Sequence, residues 1–223
     1  MESLYEKNGL IFWTQEEIKL RRMFEDYFST EIISSLRKQN SAFQLIQVEA
    51  PLLTPRELIN KGYTDEDIWA FDDVALRPET TMGSFVYAKH ILSGYNDIKQ
   101  KPPVVIFQHG KSFRREQDQP TKFMRLKEFY QLEFQIIFSA STANDYSLKL
   151  YPDVLNAISN MIGECRIEPS DRLPDYSEET TDIVCVKSDM EVCSMSKRKD
   201  LEGYRVIEVA IGTDRCIYNF QNK

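Results

Sequence analysis

Hydrophobic and polar positions alternate most clearly between Val104 and Phe138. A short apolar run, Val104-Val105-Ile106-Phe107, leads into a polar, basic segment, and the chain returns as Phe129-Tyr130-Gln131-Leu132-Glu133-Phe134-Gln135-Ile136. In the return, Leu132, Phe134, Ile136 and Phe138 share one face, while Gln131, Glu133 and Gln135 share the other. A period of two over this length predicts a half-buried β-strand, and the two runs together predict an antiparallel hairpin. One carboxylate between two short-reaching amides suits a bound ligand better than bulk water. Between the strands stand Phe113-Arg114-Arg115-Glu116, a loop with Pro120, then Arg125 and Lys127. Several cations over one floor fit a nucleotide's phosphates, although an ordinary hairpin with a solvated charged loop satisfies the same pattern.

The remaining elements follow from spacing and punctuation. Thr14 with Glu17 three residues on is a capping box. Leu20, Phe24, Tyr27, Phe28, Ile32, Ile33 and Leu36 then recur at helical spacing, predicting a long helix over 15–39. Phe43 to Glu49 reads as a strand limited by Pro51, and Thr54-Pro55 as the cap and first turn of a short helix. Ile68–Phe71 and Val74–Leu76 are short strand candidates; Thr80 or Thr81 caps a helix that Gly94 closes. Tyr151-Pro152 opens another helix, with the proline confined to its first turn, and Gly163 stops it. The stretch from Pro169 to Tyr176 is loop. Ile183–Val186, Met190–Cys193 and Val206–Ile211 are strands, and a last helix begins near Arg215. Strands dominate the middle and end with helices at intervals, which predicts an α/β (α+β) domain with a mixed, mostly antiparallel sheet and flanking helices.

Composition narrows the class. At 223 residues and 42% apolar content the chain can build one sizeable core, so a single domain over 1–223 is expected. No apolar run approaches the length of a membrane span and the first residues lack a signal-peptide core, so no membrane partner and a cytoplasmic location are expected. Four scattered cysteines, at 165, 185, 193 and 216, and two histidines support a structural zinc site poorly, and reduced, partly buried thiols are the plain reading. The net charge of -7 argues against broad non-specific nucleic-acid binding while leaving room for a local basic patch.

The hairpin resembles motif 2 of the class II aminoacyl-tRNA synthetases, and most of all the catalytic core of the glycyl enzymes. Three segments support the likeness in the right order: Leu76-Arg77-Pro78-Glu79-Thr80-Thr81-Met82-Gly83, Tyr176 to Ile183, and Val206-Ile207-Glu208-Val209-Ala210-Ile211-Gly212-Thr213-Asp214-Arg215, which is similar to motif 3. Val48-Glu49-Ala50-Pro51 is an acceptable motif 1. The resemblance implies a class II synthetase-like antiparallel sheet with flanking helices, a homodimer built on the 15–39 helix, and amino-acid activation with ATP and Mg2+. The acceptor it implies is a tRNA or tRNA-like molecule.

It also implies roles. Arg114 would meet the α-phosphate and stabilise charge on the transferring adenylyl group, Glu116 would set adenine or the acceptor end, and Arg125 would grip the outer phosphates. Phe129 would stack on adenine, and Arg215 would face the γ-phosphate. Arg114 and Arg215 are thus the catalytic candidates. Glu79, Glu133 and Glu208 would surround the amino acid's ammonium, with Arg198 on its carboxylate. Read from the residues alone, Glu208 amid Val206, Ile207, Val209, Ala210 and Ile211 needs some cationic partner, whether an ammonium, a metal, Arg198 or Arg205. Ala210 stands where the family usually has serine and Lys127 where it often has arginine. Glycine or another small amino acid is the expected substrate. No anticodon-binding domain follows the third motif in this sequence, so a core loading a carrier protein, small molecule or modified nucleic acid is a second expectation. A non-catalytic paralogue is a third.

Overall fold

The computed structural model describes residues 8–94, 101–115 and 125–223. In chain order its elements are α1 (Gln15–Gln39), β1 (Gln44–Gln47), β2 (Leu53–Pro55), a 3-10 turn (Arg56–Leu58), β3 (Ala70–Phe71), β4 (Val74–Leu76), α2 (Thr81–Ser93), β5 (Val104–Phe113) and β6 (Glu128–Ser139). There follow α3 (Ser147–Ile162), β7 (Cys165–Pro169), β8 (Ser177–Cys185), β9 (Met190–Arg198), β10 (Tyr204–Gly212) and α4 (Thr213–Gln221). Seven strands form one sheet in the order β1-β5-β6-β10-β9-β8-β7, and β2-β4-β3 form a small second sheet. All pairs in the large sheet are antiparallel except the edge pair β1–β5, which is parallel, so the sheet is mixed, as expected.

The period-two pattern decides which way each strand faces. Leu132, Phe134, Ile136 and Phe138 point to a core built with Phe24, Phe28, Ile32 and Leu36 of α1, Leu150, Val154 and Ile158 of α3, and Cys216 and Ile217 of α4. On the opposite, front face, α2 lays Phe85, Ala88, Ile91 and Leu92 over Val104, Ile106, Ile137 and Val206. The hairpin strands are therefore covered on both sides. Glu133 and Gln135 lose all solvent contact rather than facing water as a half-buried strand would.

Helix ends follow local chemistry, with some departures. Glu17 N–H donates to Thr14 Oγ1 (3.3 Å) and Thr14 N–H to Glu17 Oε2 (2.9 Å), the reciprocal capping box. Gly94 (φ 88°) and Gly163 (φ 105°) end α2 and α3 in backbone conformations that favour glycine. α3 begins four residues before Tyr151, because Asp145 Oδ1 accepts from the N–H of Ser147 at 3.0 Å and so satisfies a first-turn donor. Pro152 thus lies inside the helix. The carbonyl it leaves unbonded belongs to Leu148, which is 77% exposed and open to water. Thr54-Pro55 ends a strand before a 3-10 turn rather than capping a helix. β8 and β9 run well beyond their expected bounds, because polar residues such as Thr180, Asp182 and Ser196 on their front face are buried with the strands.

Two polar anchors fix the hairpin. Arg77, only 2% exposed, donates Nε to the Lys111 carbonyl (2.8 Å) and Nη1 to the carbonyls of Ala50 (2.8 Å) and Pro51 (3.3 Å), tying the segment after β1 to β5. On the back face the Arg21 guanidinium lies 3.8 Å over Tyr130, whose other neighbour His109 stacks parallel at 5.2 Å and reaches Glu25 at 2.9 Å. Asp214 of α4 accepts from Tyr130 N–H (3.0 Å), and burial pushes its carboxyl up to about 8.

Arg77 fits only because Gly110 has no side chain: a Cβ there would stand 2.2 Å from Nη2. Gly110→Ala is expected to destabilise the fold by about 1–3 kcal/mol, since the guanidinium is bonded and has nowhere to move. Urea unfolding checks this; an unchanged midpoint would show that Arg77 can shift freely.

Candidate active site

The front face of β6, β9 and β10 carries a connected polar chain. Register sets Gln135 opposite Glu208 and Ala210 opposite Glu133 on β6–β10, and Ser196 opposite Glu208 on β9–β10. Gln135 Nε2 donates to both Glu133 Oε1 (2.6 Å) and Glu208 Oε2 (2.7 Å), bridging two buried carboxylates. Ser84 of α2 donates to Glu133 Oε1 (2.7 Å). Arg198 Nη1 donates to Glu208 Oε2 (2.6 Å), while its Nε and Nη2 grip Asp200 (3.0 and 2.8 Å). The guanidinium is sandwiched between Phe85 (3.8 Å) and Tyr176 (3.9 Å). Glu79 accepts from Tyr63 Oη at 2.8 Å.

Burial, then the charge of Glu208, push the Glu133 carboxyl up to about 7 and raise Glu79 as well. Burial works against the charge on Arg198, but Glu208 and Asp200 outweigh it and hold the guanidinium above its ordinary value. Within this polar network Glu133 Oε2 and Gln135 Oε1 have no partner in hydrogen-bonding geometry, although the Thr80 hydroxyl, with Gln135 and Ser84, acts on the Glu133 carboxyl and opposes the rise in its pKa. Such atoms cost on the order of 1–3 kcal/mol each if nothing ever meets them.

The cationic part begins where β5 ends. Arg114 donates Nε to the Pro78 carbonyl (3.1 Å), and its guanidinium lies 5.1 Å from the Phe129 ring and 5.6 Å from Tyr63. Since Tyr63 also holds Glu79, Arg114, Phe129 and Glu79 meet in one neighbourhood. Arg125 is exposed on the segment just before β6, and Glu116 lies outside the described residues. Arg215, in the first turn of α4, donates to the Glu191 carbonyl (2.8 Å) and stands 3.5 Å from the Glu191 carboxylate. Among the described residues no cluster of three His, Cys, Asp or Glu side chains could hold a metal ion, so the Mg2+ expectation rests on the nucleotide. Nor is any helix of these residues long and apolar enough to cross a membrane.

Sequence reasoning placed Glu79, Glu133, Arg198 and Glu208 on one site, and the fold brings the last three into bonded contact directly or through Gln135. It missed Ser84, Asp200, Phe85, Tyr176 and Tyr63. Asp200 had a local signal, an acid two residues from Arg198. The others are brought in by tertiary structure.

A mixed parallel and antiparallel sheet flanked by helices matches the class II aminoacyl-tRNA synthetase-like fold. The chain superposes on prolyl-tRNA synthetase from Cryptosporidium parvum, complexed with L-proline and AMP, with TM-score 0.71 and 14% identity over 97% of this chain and 48% of that one. Pyrrolysyl-tRNA synthetase from Desulfitobacterium hafniense gives TM-score 0.62 and 16% identity over 88% and 69%. No protein-family model matches the chain. In sequence it is 34% identical over 116 residues to the glycine–tRNA ligase of Mycolicibacterium vanbaalenii, covering 48% of this chain and 24% of that protein. It is 27% identical over 191 residues to the glycine–tRNA ligase of Mycoplasmopsis synoviae, covering 82% and 38%. The chain thus spans about a quarter to two fifths of the length of these curated relatives.

Glu133 yields a prediction on stability. Its folded value lies above its ordinary value of 4.5, so the folded state holds the proton more tightly and loses stability as pH rises from 4.5 through 7. Glu133→Gln keeps an acceptor for Ser84 and removes that loss. The variant should gain on the order of 1–3 kcal/mol above pH 7 and nothing below about pH 4.5. Denaturation at pH 4 and pH 8 checks this; an equal effect at both pH values would contradict the assignment.

Proposed function

We propose that this chain forms an aminoacyl adenylate from ATP and a small amino acid, with glycine the leading candidate, and passes the aminoacyl group to a tRNA or tRNA-like acceptor. The observation that carries the reading is the pair of buried acceptors without a partner in hydrogen-bonding geometry, Glu133 Oε2 and Gln135 Oε1, beside Glu208. An α-ammonium offers three donors and a positive charge, which would meet both acceptors and relieve the repulsion between the carboxylates. Phe85, Tyr176 and the guanidinium of Arg198 wall the site beside Glu208, which favours an amino acid with little or no side chain. Three of Arg198's five N–H donors are engaged in this geometry, leaving two for the substrate carboxylate.

In this mechanism the amino acid's carboxylate oxygen attacks the α-phosphorus of ATP, the bond to the bridging oxygen breaks, and pyrophosphate leaves. No protein base is required, so catalysis is positioning and charge stabilisation. Arg114 places its fork on the α-phosphate, where charge grows in the transition state. Phe129 offers a face to adenine, and Arg125, Arg215 and Glu116 serve the outer phosphates and the base. The nucleotide's phosphates would carry Mg2+, which would neutralise part of their charge. We read the assembly as a homodimer through the α1 side, where a groove of about 840 Å³ runs between α1 and β1, lined by Ile33, Arg37, Leu45 and Phe107.

ATP–pyrophosphate exchange run over the twenty amino acids tests the activity. Exchange with one small amino acid is expected; exchange with none, in a folded protein that binds ATP, would overturn the reading. Arg114→Ala should lower exchange by at least 100-fold while leaving the unfolding free energy within about 0.5 kcal/mol. Retained exchange in that variant would remove Arg114 from the reaction.

A further inference from the structure

The four cysteines take no part in the proposed chemistry, yet the fold does not scatter them. Cys165 of β7 and Cys185 of β8 are direct cross-strand partners. The flanking hydrogen bond, Val186 N–H to the Glu164 carbonyl at 2.9 Å, marks this as a non-hydrogen-bonded pair. At such pairs the Cα atoms approach to about 4.5 Å with side chains side by side. That spacing falls inside the roughly 4.4–6.8 Å window a disulfide needs. Both side chains sit on the back face: Cys185 belongs to the main core and Cys165 packs against it, half-buried at the sheet edge. Cys193 and Cys216 lie in the same core without exposure. Cys193 pairs across from Ile183, one step along the same face of β8, so it meets Cys185 only diagonally. All four are free thiols.

We propose that Cys165 and Cys185 are an oxidative modification site, a dithiol that a hydroperoxide converts to a cross-strand disulfide. Cys165 is the attacking group, because, half-buried at the sheet edge, it keeps solvent contact while Cys185 is buried. Its thiolate attacks a peroxide oxygen, the O–O bond breaks, and a sulfenic acid forms with one water (or alcohol) released. The Cys185 sulfur then attacks the sulfenic sulfur, the S–O bond breaks, and a second water leaves. Two thiols are oxidised by two electrons and one hydroperoxide is reduced. The Cys165 thiol now donates weakly to the Gly163 carbonyl at 3.4 Å, a contact the cross-link replaces. The closed loop of about 20 residues includes the turn that brings Tyr176 onto Arg198, so the bond shortens the leash on one wall of the candidate site. Burial pushes the Cys165 thiol up to about 11, so oxidation is slow at neutral pH and accelerates as pH rises.

The test treats the full chain with hydrogen peroxide at several pH values and maps thiols by mass spectrometry. The expected product has lost two hydrogens, carries a Cys165–Cys185 linked peptide, and reverts with dithiothreitol. Its rate should climb about tenfold per pH unit between pH 7 and 9, without the levelling near 8.5 of an ordinary thiol. The linked protein should melt roughly 5–10 °C higher. Cys165→Ser, a conservative change at the edge, should abolish the linkage and leave the remaining thiols reduced. Irreversible oxidation of Cys165 alone, a linkage through Cys193 or Cys216, or no linkage at all would each overturn the proposal.

Discussion

Two carboxylates buried side by side on one sheet face organise this molecule. Glu133 and Glu208 are held on adjacent strands and bridged by one amide nitrogen of Gln135. Neither could stay there without help, because a charge removed from water must find partners or neutralise. Glu208 has Arg198. Glu133 has Thr80, Ser84, the shared amide, and a proton that burial holds on it well above the usual carboxylate range. The price of this arrangement is an incompletely satisfied polar cluster inside the fold, and a cation arriving from outside would complete it.

The rest of the fold keeps that cluster in place. The back core clamps β6 and β10 through alternate residues, so a slip of one residue in either strand would turn the carboxylates into hydrocarbon. α2 closes the front and supplies Ser84 and Phe85 from the same turn. Arg77, buried and bonded to backbone carbonyls, fastens the start of the substrate-side segment to β5 and thereby fixes where Glu79 and Arg114 can lie. The polar groups thus inherit their precision from apolar packing and from one structural arginine.

Much of this was legible in the sequence. Period two in β6 gave the strand and both of its faces, and the Thr14–Glu17 box gave the start of α1 to the residue. Glu208 within an apolar strand announced a buried charge that required a partner. Three kinds of information were not local. The front face of β8 and β9 is polar yet buried, so sequence polarity shortened those strands. β7 is a short edge strand whose alternation is too brief to read, and its pairing with β8 alone reveals the cysteine pair. The sandwich of Arg198 between Phe85 and Tyr176 joins residues far apart in the chain, which only the completed fold brings together.

The central claim is that Glu133 and Gln135 wait for an ammonium. It is tested most directly by calorimetry of amino-acid binding at pH 7 in buffers of different ionisation enthalpy. Because burial and the charge of Glu208 raise the Glu133 carboxyl in the free protein, an ammonium should displace protons as it binds at pH 7, and this release should shrink as pH rises. Binding without proton release at pH 7, or release unchanged in Glu133→Gln, would contradict the account.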